Sequence, residues 1–254
     1  AIDSYPDSVG DLGDYAAIYN AKPGRFLQNI TQVPDFRLTA QLAREFAARN
    51  DVKIDGVISM DPVALSYLLD ATGPIELPTG DKLTSANAAE FLLNGVYLRY
   101  PEADQQDVVF AAAASGVFAA LTRGDVNPGK LVEALARAGT EHRLYLWSAK
   151  EADEAVLADT TLAGAPPEGD SDTARFGVYF NDGTGSKMDY YISPEVTLGW
   201  SGCGPASTPR TLSLKITLTS KAPADAATAL PDYITGAGTY GVPEGIARTV
   251  GEVY

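Results

Sequence analysis

Apolar positions follow two regimes along this chain. Up to about residue 160 they recur at helical spacing or in short runs, and beyond residue 174 they alternate with polar positions. Ile54–Met60 is a short apolar run with valine and isoleucine, which predicts a strand covered on both faces. Asp61 follows where an N-cap belongs, and Pro62 takes the first helical position, where its missing N–H costs nothing. The helix so begun carries Leu65, Leu68 and Leu69 on one face and stops at Gly73 before Pro74.

The same signals mark further elements. Asp35 caps a run in which Leu38, Leu42, Ala43 and Phe46 share a helix face. Thr84 or Ser85 caps a helix through Ala88, Phe91, Leu92 and Val96. From Asp104 to Leu121, the positions Val109, Ala113, Gly116, Val117 and Ala120 form a narrow stripe of small residues, which predicts a central helix with close neighbours. Asn127 and Pro128 begin a helix carrying Leu131 and Leu135, Arg143–Ser148 reads as a strand, and Glu151–Ala158 as a helix. This alternation predicts an α/β domain over residues 1–162.

Residues 163–174, AGAPPEGDSDTA, have linker composition. Beyond them Leu212, Leu214, Ile216 and Leu218 alternate with Thr211, Ser213, Lys215 and Thr217, the pattern of a half-buried antiparallel strand. FGVYFNDGTGSKMDYYI reads as two strands joined by a glycine-bearing turn, and MDYYISPEVTLGW continues into a third. Residues 175–254 are therefore expected to form a small antiparallel, β-sandwich-like domain, truncated at its end.

With 254 residues, 45% of them hydrophobic, the chain can bury a full core. Its net charge of -14 argues against non-specific nucleic-acid binding, because the summed field repels phosphates. No run of 18 apolar residues offers a membrane span, and the opening AIDSYPDSVG leads us to expect an anchor or export signal upstream. Cys203, the single cysteine, forbids an internal disulfide and leaves open only pairing with another chain.

Candidate chemistry is sparse. His142 is the lone histidine, and no GxSxG motif supplies a serine partner, so a helix-end histidine is the favoured reading. GDSD at 169–172 and NDGTG at 181–185 cluster carboxylates but lack the twelve-residue calcium loop, and NDG reads as hairpin-turn chemistry. Asp55 and Asp61 read as a strand start and a helix cap. Arg99, flanked by Tyr97 and Tyr100 where a helix gives way to a Pro-containing turn, is the preferred ligand-binding candidate: a guanidinium grips phosphate in a bidentate manner, and tyrosines flank a sugar or lipid. Arg25, beside Gly24, is a second anion-binding candidate.

The stretches FLQNITQVPDFRLTAQLA, DGVISMDPVALSYLLDATGPIELP, LWSAKEADEAVLA and GVYFNDGTGSKMDYYI resemble an actinobacterial family known only as domain of unknown function number four thousand and twelve. That resemblance implies a large extracytoplasmic cell-envelope protein, membrane-anchored upstream of Ala1. More distantly, DGVISMDPVALSYLLDATGPIEL followed by LTSANAAEFLLNGVYLRY resembles LytR-CpsA-Psr proteins, which implies a three-layer α/β core. Those proteins hold a polyprenyl pyrophosphate in an apolar pocket and transfer a glycopolymer to the cell wall, using arginines, aspartates and Mg²⁺. Arg99 falls at one arginine of that pattern, but ADQQDVVFAAA supplies no further arginines. Two expectations follow. One is a binder of a lipid-linked or wall glycopolymer, needing Mg²⁺ only if it is a transferase; the other is a non-catalytic structural or adhesive surface protein whose β unit presents an interaction face and leaves an oligomer open.

Overall fold

A computed structural model describes residues 5–124, 126–202 and 211–254. Cys203, whose partner the sequence left open, lies outside the described residues. The principal helices are α1 (Phe36–Arg49), α2 (Pro62–Thr72), α3 (Ala103–Arg123), α4 (Pro128–Thr140) and α5 (Glu151–Leu157), joined by shorter helical turns. The strands are β1 (Gly56–Met60), β2 (Ile75–Glu76), β3 (Lys82–Leu83), β4 (Leu144–Ser148), β5 (Val178–Asp182), β6 (Ile192–Ser201), β7 (Thr211–Ser220) and β8 (Thr249–Val253). The architecture is mixed α/β with small antiparallel sheets. Contacts group residues up to Leu93, Asp104–Tyr179 and Gly251–Tyr254 in a first compact unit, and Asn94–Ala103 with Phe180–Val250 in a second. No helix among the described residues is long and apolar enough to cross a membrane.

Local chemistry starts the helices of the first unit. The Asp35 side chain accepts the Arg37 N–H, Asp61 accepts that of Ala64 at 2.7 Å, and Asn127 accepts that of Lys130, so each supplies an acceptor to an orphan donor of the first turn. Gly73 closes α2 at φ 80°, a left-handed conformation open to glycine. Thr84 and Ser85 do not cap the next helix: Asn87 stands at the cap position, and its side-chain oxygen instead accepts the Thr84 N–H. That helix passes through a π-helical turn at Phe91–Gly95 before ending at Val96–Arg99.

Val9, Leu12, Leu42 and Phe46 form one buried cluster, and Phe36 and Ala40 pack with Trp147 in another. On α3, Gln106, Val109, Ala113, Val117 and Ala120 are the buried stripe; the apolar members of that face follow the small-residue spacing. Helix α4 packs through Ala134, Ala138 and Gly139, while Leu135 is exposed. Small residues supply that face because the neighbours come close: a Cβ at Gly139 would stand 3.1 Å from Leu162 Cδ2.

Strand β1 pairs antiparallel with β4, Ile58 opposite Leu146, as a two-stranded sheet. The expectation of a strand covered on both faces fails, since Ile58 is 66% exposed. The expected β5 to β6 hairpin fails as well. β5 pairs with β8, and a 3-10 turn at Met188–Tyr191 leads into β6. In the second unit Met188, Ala226 and Ile234 form the buried cluster, with Tyr97, Tyr191 and Leu230 packed against it.

Strands β6 and β7 make a ten-residue antiparallel ribbon running from Ile192 opposite Ser220 to Ser201 opposite Thr211. The alternation read in β7 is present, but the strand is not half-buried: nine of its ten residues are exposed.

Candidate functional site

Arg99, Tyr97 and Tyr100 lie together in the second unit, whereas Arg25 belongs to the first. Arg25 donates from Nε to the Tyr5 carbonyl at 2.8 Å, and its guanidinium lies 5.7 Å from the Phe26 ring, so it holds down the N-terminal segment. Arg99 is exposed on the last helical turn, its guanidinium 5.8 Å from the Tyr100 ring. Tyr97 stacks on Tyr233 with ring centres 5.6 Å apart, and Lys187 Nζ lies 5.5 Å from the Tyr97 ring. Burial, with the charges of Tyr233 and Asp189, pushes the Tyr97 phenol up to about 12. A neutral, stacked tyrosine beside an ammonium is held by packing and has no proton to trade at neutral pH.

The remaining polar candidates are used locally. His142 is exposed at φ 55° where α4 turns into β4. Asp170 Oδ1 accepts the Asp172 and Thr173 N–H groups, so GDSD closes its own turn. The densest charge network joins α2 to α4. Glu141 accepts from Tyr67, Arg137 and Arg143 at 2.8 to 2.9 Å, and Arg143 also reaches Asp61. These donors hold the Glu141 carboxyl down at about 2. A shallow cavity of about 300 Å³ beside it is lined by Ser66, Tyr67, Asp70, Lys130 and Arg137. Its cations are already answered, Lys130 by Asp70 at 3.0 Å and Arg137 by Glu141. The network fastens the helices and presents no activated nucleophile. No group of three His, Cys, Asp or Glu converges among the described residues.

The ribbon is the surface that stands out. Because side chains alternate along a strand, the register places Pro194, Val196, Leu198 and Trp200 of β6 on one face with Leu218, Ile216, Leu214 and Leu212 of β7. Glu195, Thr197, Gly199 and Ser201 share the other face with Thr217, Lys215, Ser213 and Thr211. The apolar face is open: Val196 is 44% exposed, Leu198 55% and Trp200 57%. Neither β6 nor β7 pairs with a third strand among the described residues.

At the root of that face lies a cavity of about 180 Å³, lined by Asp182, Asp189, Ile192, Pro194, Leu218 and Phe180 among others. Ile192, Pro194 and Leu218 belong to the apolar face by the same parity, so the stripe runs into the cavity. Asp182 is held there by Thr184, which donates from its N–H and its hydroxyl. The apolar surroundings of Asp189, and then the charge of Asp182, raise its carboxyl above the usual range. Sequence periodicity found the β7 half of this face, as a half-buried strand, and not the β6 half. It took Asp182, within NDGTG, for hairpin-turn chemistry and passed over Asp189, seven residues on, because only the path of the turn between β5 and β6 joins them.

No curated protein and no solved structure matches this chain. Residues 4–97 match the model of a family described as "Protein of unknown function (DUF4012)", which supports placing this part of the chain with a family of unknown function.

Proposed function

We propose that this chain is a non-catalytic binding module of an extracytoplasmic cell-envelope protein, with the β6–β7 ribbon as its contact surface. The observation that carries this reading is the open apolar face of eight side chains, seven of them exposed, on a ribbon whose two strands pair with no third strand among the described residues. A two-stranded ribbon is marginally stable in water by itself, and contiguous exposed apolar surface on a folded protein marks a place of contact. The extracytoplasmic placement rests on the actinobacterial family resemblance of the sequence. The test is co-sedimentation of the chain with purified cell-envelope preparations, comparing the native chain with the Leu198→Ser/Ile216→Ser variant. Retention lost with the variant supports the reading, and equal retention moves the contact off the ribbon.

One observation favours a second reading, the binding of a lipid-linked or wall glycopolymer. The Tyr97 and Tyr233 stack, with Lys187 beside it and Arg99 exposed on the same short helix as Tyr97, combines an aromatic platform with cations. That combination suits a sugar next to a phosphate. Arg99→Ala should weaken binding of a polyprenyl phosphate by a charge-assisted contact, about 1.5 to 3 kcal/mol. An unchanged affinity in calorimetry would remove Arg99 from that role.

A further inference from the structure

We propose, resting on the contact-face reading above, that the ribbon receives an extended segment of a different protein, in which apolar side chains alternate with lysine or arginine, and that one cation enters the cavity lined by Asp182 and Asp189. The apolar stripe and the cavity are one continuous surface, since Pro194 and Leu218, a facing pair of the ribbon, also line the cavity. An occupant lying along the stripe therefore reaches the carboxylates at its end.

Charge complementarity selects the occupant. The apolar face carries no charged side chain: its residues are Ile192, Pro194, Val196, Leu198 and Trp200, with Leu212, Leu214, Ile216, Leu218 and Ser220. The charge at its root is that of two carboxylates, Asp182 and Asp189, and it is negative. The nearby cations are turned to other partners. Lys187 lies over the Tyr97 and Tyr233 rings and, of the two carboxylates, acts only on Asp189, offsetting part of its burial, while Lys221 donates to Ser193 on the opposite face and Arg248 donates to the Tyr240 carbonyl; the Asp182 charge meets none of them in these contacts. The cavity, at about 180 Å³, is below the roughly 300–1,000 Å³ of a small-molecule pocket and suits the end of one side chain. A second copy of this chain fits poorly, because each copy carries a net charge of -14 and the same face offers no cation to the partner's cavity. An anionic lipid surface is repelled for the same reason.

The experiment uses the whole chain and three eight-residue peptides that alternate valine with lysine, with threonine or with glutamate, and follows Trp200 emission. The lysine peptide should bind at least about tenfold more tightly than the glutamate peptide, as one charge-assisted contact allows. In the Asp182→Asn/Asp189→Asn variant that preference should fall to about threefold or less, the residue of long-range attraction. Asparagine at 182 keeps the oxygen that accepts from Thr184, so the turn is preserved. An undiminished preference in this variant overturns the cationic occupant. Equal binding of all three peptides, abolished by Leu198→Ser/Ile216→Ser, also overturns it while leaving the contact face in place. Binding that survives the ribbon variant overturns the contact face itself. A ribbon-dependent dimer in sedimentation, or binding to zwitterionic vesicles with no peptide binding, assigns the face to a second copy or to lipid and likewise overturns the proposal.

Discussion

Trp200 stands opposite Leu212 near the outer end of the β6–β7 ribbon, and both side chains remain open, at 57% and 40% exposure. The chain's other tryptophan, Trp147, is 8% exposed and packs with Phe36 and Ala40. Acrylamide should therefore quench two separate populations of tryptophan emission. Trp200→Phe should remove the accessible, red-shifted one and leave the shielded one unchanged. A single shielded population in the native chain would mean that the ribbon face is covered in solution.

Exposed apolar residues contribute little to holding the fold. Leu198→Ser and Ile216→Ser should each cost under about 1 kcal/mol in urea unfolding, the scale of one cross-strand pair. Leu42→Ala, at a fully buried position against Val9, Leu12 and Phe46, should cost about 2 to 5 kcal/mol. Comparable losses at 198 and 42 would show that the ribbon belongs to a core.

Asp61 has two tasks, capping α2 and pairing with Arg143. Asp61→Ala should cost about 0.5 to 2 kcal/mol through the lost cap. Asp61→Asn keeps an acceptor oxygen and should recover most of that, because the partly exposed ion pair contributes only about 0 to 1 kcal/mol. Equal losses for the two variants would transfer the effect to the charge.

Gly116 is where α3 meets Ile75. A Cβ there would stand 2.6 Å from Ile75 Cγ2, which is itself buried. Gly116→Ala should destabilise by about 1 to 3 kcal/mol, despite alanine's better helix propensity, because packing strain exceeds the propensity gain. Thermal unfolding measures the sign, and a stabilised variant would show that the helix can move away.

Glu141 should titrate near 2, displaced by the Arg137, Tyr67 and Arg143 donors. Its carboxyl is lowered on folding, so its contribution is complete above the usual carboxylate range and is lost as pH falls toward 2. Side-chain carbon NMR should place the midpoint there. Glu141→Gln should flatten the acid limb of stability between about pH 4.5 and 2.

What the sequence made legible was local. Asp35, Asp61 and Asn127 cap helices because an N-cap acts on donors two or three residues away, within the reach of a motif. The α3 stripe was readable for the same reason, as its period repeats inside one element. Alternation in Thr211–Ser220 revealed a strand with two unlike faces, but not what lies against either, since coverage depends on segments distant in sequence. The pairing of β5 with β8 was hidden because the NDG turn carries a hairpin signal whatever strand follows it. Helix α4 misled because its leucines suggest a buried face, while the close approach of Leu162 to Gly139 demands small residues. Asp182 was read within NDGTG as turn chemistry and Asp189 carried no motif, because only the turn between them brings both to one cavity.

Pro194 gives the ribbon a direction. Having no amide hydrogen, it leaves the outer border of β6 short of one donor, whereas Thr211–Ser220 contains no proline. Backbone recruitment along the β7 border is thus favoured over recruitment along the β6 border. Growth by repeated stacking requires two competent borders on every unit, so this asymmetry weakens one of the two borders and disfavours edge-to-edge growth from a ribbon with a bare apolar face.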